Sequence, residues 1–190
     1  MKSIIRPALI LFILLTVLTG LIYPLLITGI GKVFFPLSSS GSLIYRGDQL
    51  IGSELIGQSF AEAKYFWSRP SATAPMPYNA SASSGSNLGP LNPALTDLIK
   101  SRIENLKSND PTNKSPVPVD LVTSSASGLD PEISAAAALY QVQRVSKSRK
   151  LNPSVVIALV EQNTEHKWLG WFGEDRVNVL KINLALDQLK

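Results

Sequence analysis

Cysteine is absent from this chain, and histidine occurs once, at His166. No disulfide scaffold, Cys-ligated zinc site, thiol nucleophile or lipid-modified cysteine anchor can be built from it, and a His-rich metal site is excluded as well. Charge of one sign is also scarce. Lys plus Arg is 18 and Asp plus Glu is 14, a net +4 that forms no basic stripe of the kind that tracks nucleic acid. The sequences G-x-x-x-x-G-K-[ST], H-E-x-x-H, G-x-S-x-G and S-x-x-K do not occur, nor does an aspartyl-phosphate motif or a recognisable carboxylate pair. The residues therefore predict a non-enzyme with no tightly bound cofactor, no metal site and no nucleic-acid partner. At 45% hydrophobic over 190 residues, neither a disordered chain nor a polytopic membrane protein fits.

What is present is unevenly placed. From Pro7 to Gly31 no residue is charged. As a helix, this run is roughly 37 Å long at ~1.5 Å per residue, enough to cross a ~30 Å hydrocarbon core. It exceeds the ~7–15 apolar residues of a cleaved signal peptide, so 7–31 is expected to be an uncleaved transmembrane helix. Lys2 and Arg6 precede it and only Lys32 follows closely. This bias puts the N-terminus in the cytoplasm and the remainder on the periplasmic side. Thr16, Gly20, Pro24 and Thr28 recur every fourth residue, a small-residue face that lets a second helix approach.

Residues 34–190 are of single-domain length. Leu43–Tyr45 and Leu50–Ile51 flank Arg46-Gly47-Asp48-Gln49 and read as a hairpin. Ser71–Pro93 and Lys107–Pro118 are polar and Pro-punctuated, hence loops, and Val119–Thr123 reads as a strand. Asn92-Pro93, Asp130-Pro131 and Asn152-Pro153 each offer an Asx N-cap followed by Pro at N1, predicting three helix starts. Val177, Leu180 and Leu184 suggest a last helix that could begin as strand. The expected fold is a single N-terminal transmembrane α-helix followed by an α+β soluble domain.

Three segments are more specified than packing demands. Tyr65-Phe66-Trp67-Ser68-Arg69-Pro70-Ser71 sets aromatics beside Arg, either an interface anchor or a hydrophobic strand plugging the core. Ser84-Gly85-Ser86-Asn87-Leu88-Gly89-Pro90 permits left-handed backbone and close approach of another chain. Thr123–Asp130 is a Ser/Gly loop expected to enter a helix N-terminus, where amides could hold a phosphate. The basic run Arg144–Lys150 reads as a phosphate or lipid-headgroup contact, or as a solvated helix end. His166 reads as surface polar.

These stretches, with Val117–Pro131, Ala136–Val142 (A-A-A-L-Y-Q-V) and Leu169–Leu180, make the chain resemble the KdpC family. Its members are single-span subunits of the bacterial Kdp potassium-transporting P-type ATPase, and the likeness covers nearly the whole chain. Ser84, Ala126, Glu132 and Asp175 depart from the usual family residues Gly, Gly, His and Pro. The resemblance implies an inner-membrane subunit needed for assembly, a catalytic chaperone that raises the ATP affinity of the ATP-hydrolysing subunit KdpB. It also implies a channel-like potassium-translocating partner, KdpA, and a small hydrophobic one, KdpF. Tyr65, Trp67, Arg69, Asn87 and Gly89 are then the candidate subunit contacts. Ser127, Gly128 and Gln141 are the candidates for nucleotide contact, any ATP association coming through the complex. Cytoplasmic ATP and a periplasmic domain are compatible only through allosteric coupling. Two other readings stay open: a membrane-anchored periplasmic binding module with Tyr65–Trp67 and Trp168–Phe172 as an aromatic platform, and a directly nucleotide-binding regulator.

Overall fold

The computed structural model describes residues 2–189 in two compact units divided between Ile51 and Gly52. In the first, α1 (Lys2–Val17), a π-helical turn (Leu18–Ile22) and α2 (Tyr23–Phe34) follow one another without a break. The apolar helix Ile4–Phe34 is long enough to cross a membrane. Pro24 explains the π turn. Proline has no N–H to close the ordinary ladder, and one wide turn absorbs the mismatch at little cost. The Tyr23 amide accordingly donates to Leu18 O. Thr16 and Thr19 donate their hydroxyls to Phe12 O and Leu15 O at 2.8 and 2.7 Å, so these two hydroxyls are satisfied by the backbone one turn earlier. A short α3 (Pro36–Ser39) leads to the expected hairpin of β1 (Leu43–Arg46) and β2 (Gln49–Ser53). Gly47 supplies its left-handed turn position at φ +61°.

The second unit is the α+β part. Its helices are α4 (Pro93–Asn109), α5 (Ala135–Arg149), α6 (Pro153–Gln162) and α7 (Val179–Gln188). Its sheet has the antiparallel order β3-β5-β4, from β3 (Glu132–Ser134), β4 (Thr164–Glu165) and β5 (Arg176–Asn178). Ile133 faces Val177, and Thr164 faces the same Val177 from the other side. Arg176 bridges Glu132 at 3.0 Å and Glu165 at 3.1 Å, tying both outer strands to the centre. Ala137, Val142, Val145, Val156, Val160, Ile182 and Leu186 join Ile133, Val177 and Phe66 in one core.

Asn92 and Asn152 cap α4 and α6 as expected, each accepting the amide two residues on. The third start is displaced. Asp130-Pro131 leads into β3, and the cap of α5 is Ser134, which accepts from Ala137 N. Pairing with β5 outweighs the local capping preference, because it buries Ile133 and satisfies the ladder. The Ser/Gly loop therefore does not enter a helix N-terminus. Val119–Thr123 is not a strand either: Val119–Leu121 forms a 3₁₀ turn, and Asp120 spends its carboxylate on Ser134 N at 2.7 Å. The last segment is strand and then helix, with Asn178 ending β5 and capping α7.

Candidate subunit-contact site

Residues 62–71 carry no regular secondary structure, yet their backbone is held as firmly as a strand. Phe66 is fully buried. Its N–H donates to Asn183 Oδ1 at 2.8 Å, and its carbonyl accepts from Asn183 Nδ2 at 2.9 Å. The next residue repeats the pattern with another helix: Trp67 N–H to Gln141 Oε1 at 2.7 Å, and Gln141 Nε2 to Trp67 O at 3.2 Å. Two carboxamides, from α7 and α5, thus stand in for two neighbouring strands. Each such bond is worth ~1 kcal/mol net, and leaving a buried partner unpaired costs more.

Arg144 and Arg149 complete the clamp. Arg144 donates to Ala63 O, Tyr65 O and Gln141 Oε1 at 2.6–2.9 Å, and its guanidinium lies 4.0 Å from the centre of the Trp67 ring. Burial pulls its pKa down to about 10, with Asp110 opposing. Arg149 donates to Lys64 O and pairs with Asp187 at 2.7 Å. The expectation of a solvated helix end or headgroup contact for Arg144–Lys150 is therefore corrected at both arginines, which hold their own domain together. Lys150 takes the left-handed position that ends α5, at φ +57°.

Of the expected contact residues, three are engaged internally. The Tyr65 hydroxyl reaches Asp187 at 3.3 Å, the Trp67 indole donates to Glu62 O at 3.0 Å, and Arg69 pairs with Asp130 at 3.0 Å. Asn87 and Gly89 remain on the surface, Asn87 in a left-handed conformation at φ +51°. The close approach expected of the glycine loop is made by this chain itself. A Cβ on Gly85 would stand 2.9 Å from Ala126 O, and one on Gly128 would stand 2.7 Å from Ser84 O.

The proposed nucleotide residues lie in different settings. Ser127 is exposed, its carbonyl accepting from Ser83. Gly128 is buried, with its N–H taken by Ser125 and its carbonyl by Ser71. Gln141 is buried with both amide atoms committed to Trp67. His166 is exposed, 3.5 Å from Asp175.

Beside the clamped segment lies a cleft of about 430 Å³. Phe60, Trp67, Tyr78 and Leu121 form its walls, and Arg69 and Arg102 are its charged lining residues. The Tyr78 hydroxyl donates to Arg69 O, and burial raises the Tyr78 pKa and lowers that of Arg102. Sequence reasoning missed Asn183 and Arg102, and it singled out Gln141 and Arg144 without their backbone-holding roles. Gln141 and Asn183 left a signal for that role: an amide interrupts the apolar stripes Ala137-Gln141-Val145 and Val179-Asn183-Leu186.

The fold is that of a module with one N-terminal transmembrane helix followed by an α+β domain. The family model for the K+-transporting ATPase c chain, KdpC, matches residues 5–188. The Potassium-transporting ATPase KdpC subunit of Polynucleobacter asymbioticus is 63% identical over 187 residues, covering 98% of this chain and 99% of that one. That of Dechloromonas aromatica is 61% identical over 189 residues (100% and 99%), and that of Herpetosiphon aurantiacus 59% over 190 residues (100% and 98%). The chain belongs to the KdpC family, the c subunits of potassium-transporting ATPases.

Proposed function

We propose that this chain is a non-catalytic assembly subunit of an ATP-driven potassium uptake pump in the bacterial inner membrane. Residues 34–190 are periplasmic, and the subunit acts as a catalytic chaperone that raises the ATP affinity of KdpB. The full-length match to KdpC subunits carries the reading. The flanking charges, Lys2 and Arg6 against Lys32, support the orientation. ATP affinity is then changed at a distance, through KdpA and KdpB, as a coupling free energy between sites. KdpF packs beside them. Asn87 and Gly89, exposed on a loop anchored to the 126–128 turn, are the surface residues offered to KdpA. Gln141 weighs against direct nucleotide contact, because its amide already satisfies Trp67.

Two measurements test this. Ser108→Cys, the chain's sole thiol, should be labelled by an impermeant maleimide in intact spheroplasts; labelling only after lysis would overturn the orientation. The KM for ATP of the purified pump should rise several-fold when this subunit is stripped. An unchanged KM would overturn the chaperone role.

A further inference from the structure

We propose that the cleft between residues 67–71 and α4 receives an acidic peptide segment of another subunit, one carboxylate of which pairs with Arg102. The identity of the partner rests on the assembly reading above; the chemistry of the cleft does not. Arg102 is half-buried, and its two guanidinium bonds go to neutral acceptors, Val122 O at 2.8 Å and Ser124 Oγ at 3.2 Å. Among the described residues no carboxylate pairs with it, and no Asp or Glu lines the cleft. Of the other sequestered guanidinium groups, two are charge-paired and the third, also held by neutral acceptors, is enclosed more fully by its own chain. Arg69 has Asp130, Arg149 has Asp187, and Arg144 is surrounded by three oxygens and an indole face. A charge withdrawn from water without a counter-charge is costly, and a partner's anion offsets that cost.

The same inventory sets the ligand's charge and shape. Asp130 cancels Arg69, so the cleft carries one uncompensated positive charge. A single carboxylate matches it, whereas a phosphate dianion would leave excess charge near Asp130. Phe60, Trp67, Tyr78 and Leu121 offer apolar walls, so apolar residues beside the acid add the area that a lone carboxylate lacks. A guanidinium and aromatic rings lining one cleft are also the composition of interface hot spots.

The test uses the intact complex. Arg102→Lys places a primary amine in the cleft, and a carbodiimide then joins that amine to any carboxylate in contact with it. We expect a covalent adduct in the variant complex that is absent from wild type, with mass mapping joining position 102 to an Asp or Glu of another subunit. Asn105→Lys, one turn along the cleft wall, keeps Arg102 and serves if the first variant does not assemble. Assembled complex with only links within this chain, or with none in either variant, overturns the cleft proposal and leaves the assembly reading intact. Failure of the wild-type chain to co-purify with the other pump subunits overturns both.

Discussion

Asn183 and Phe66, 117 positions apart, are joined as strand neighbours are: one carboxamide accepts the Phe66 N–H and donates to the Phe66 carbonyl. A helix side chain thereby does the work of a β-strand, and an irregular segment is anchored through the centre of the core. Gln141 does the same for Trp67. The aromatic-arginine segment owes its position to these two amides.

Asn183→Leu keeps the volume and leaves both Phe66 backbone groups buried and unpaired. The expected loss is about 2–4 kcal/mol, on the order of 10 °C in melting temperature for a chain of this size. Thermal melting of the full chain in detergent checks it. A shift of a degree or two would mean that water or a rearranged segment replaces the amide.

Arg69→Ala should lower stability by about 1–2 kcal/mol, because Asp130 is left half-buried without its counter-charge. Lys107→Ala, at an exposed position on α4, should stay within about 0.5 kcal/mol. Complex yield should fall for Arg69→Ala in step with its melting temperature. Lost assembly at an unchanged melting temperature would return Arg69 to the subunit interface.

Burial raises the Glu132 pKa, with Arg176 opposing it. A carboxyl whose folded pKa is raised favours the folded state below its unfolded pKa and loses that advantage as pH climbs through the folded value. Glu132→Gln removes this titration. The melting temperature of the variant relative to wild type should therefore rise as pH goes from about 3 to about 7. A difference that moves the opposite way would show the Arg176 pair to be dominant.

In the membrane helix, Gly20 has open space where a Cβ would stand. If Thr16, Gly20, Pro24 and Thr28 face a neighbouring helix, Gly20→Leu should cut the amount of subunit retained in detergent-solubilised complex several-fold. Leu14→Phe should do much less. Equal retention of both would show that the small-residue face is incidental.

The sequence by itself determined the features governed by local physics. An uncharged apolar run must be a helix in a membrane, since only then are its backbone groups satisfied. Asn92-Pro93 and Asn152-Pro153 start helices because cap and ring act within one turn. Arg46-Gly47-Asp48-Gln49 turns a hairpin because Gly47 tolerates a left-handed backbone. The tertiary structure alone decided what depends on a distant partner. Asp130-Pro131 has the same local signature as the other two starts, yet β5 lies alongside and draws residues 132–134 into a sheet. Tyr65–Arg69 reads from the sequence as either an interface anchor or a strand plugging the core; Gln141, Asn183, Arg144 and Asp130 arrive from 61 to 117 positions away to hold it. Periodicity records which face of a helix is buried; it cannot record which backbone an amide on that face will meet. Arg102 shows the same limit in reverse: only the assembled cleft reveals that its charge has no carboxylate partner among the described residues.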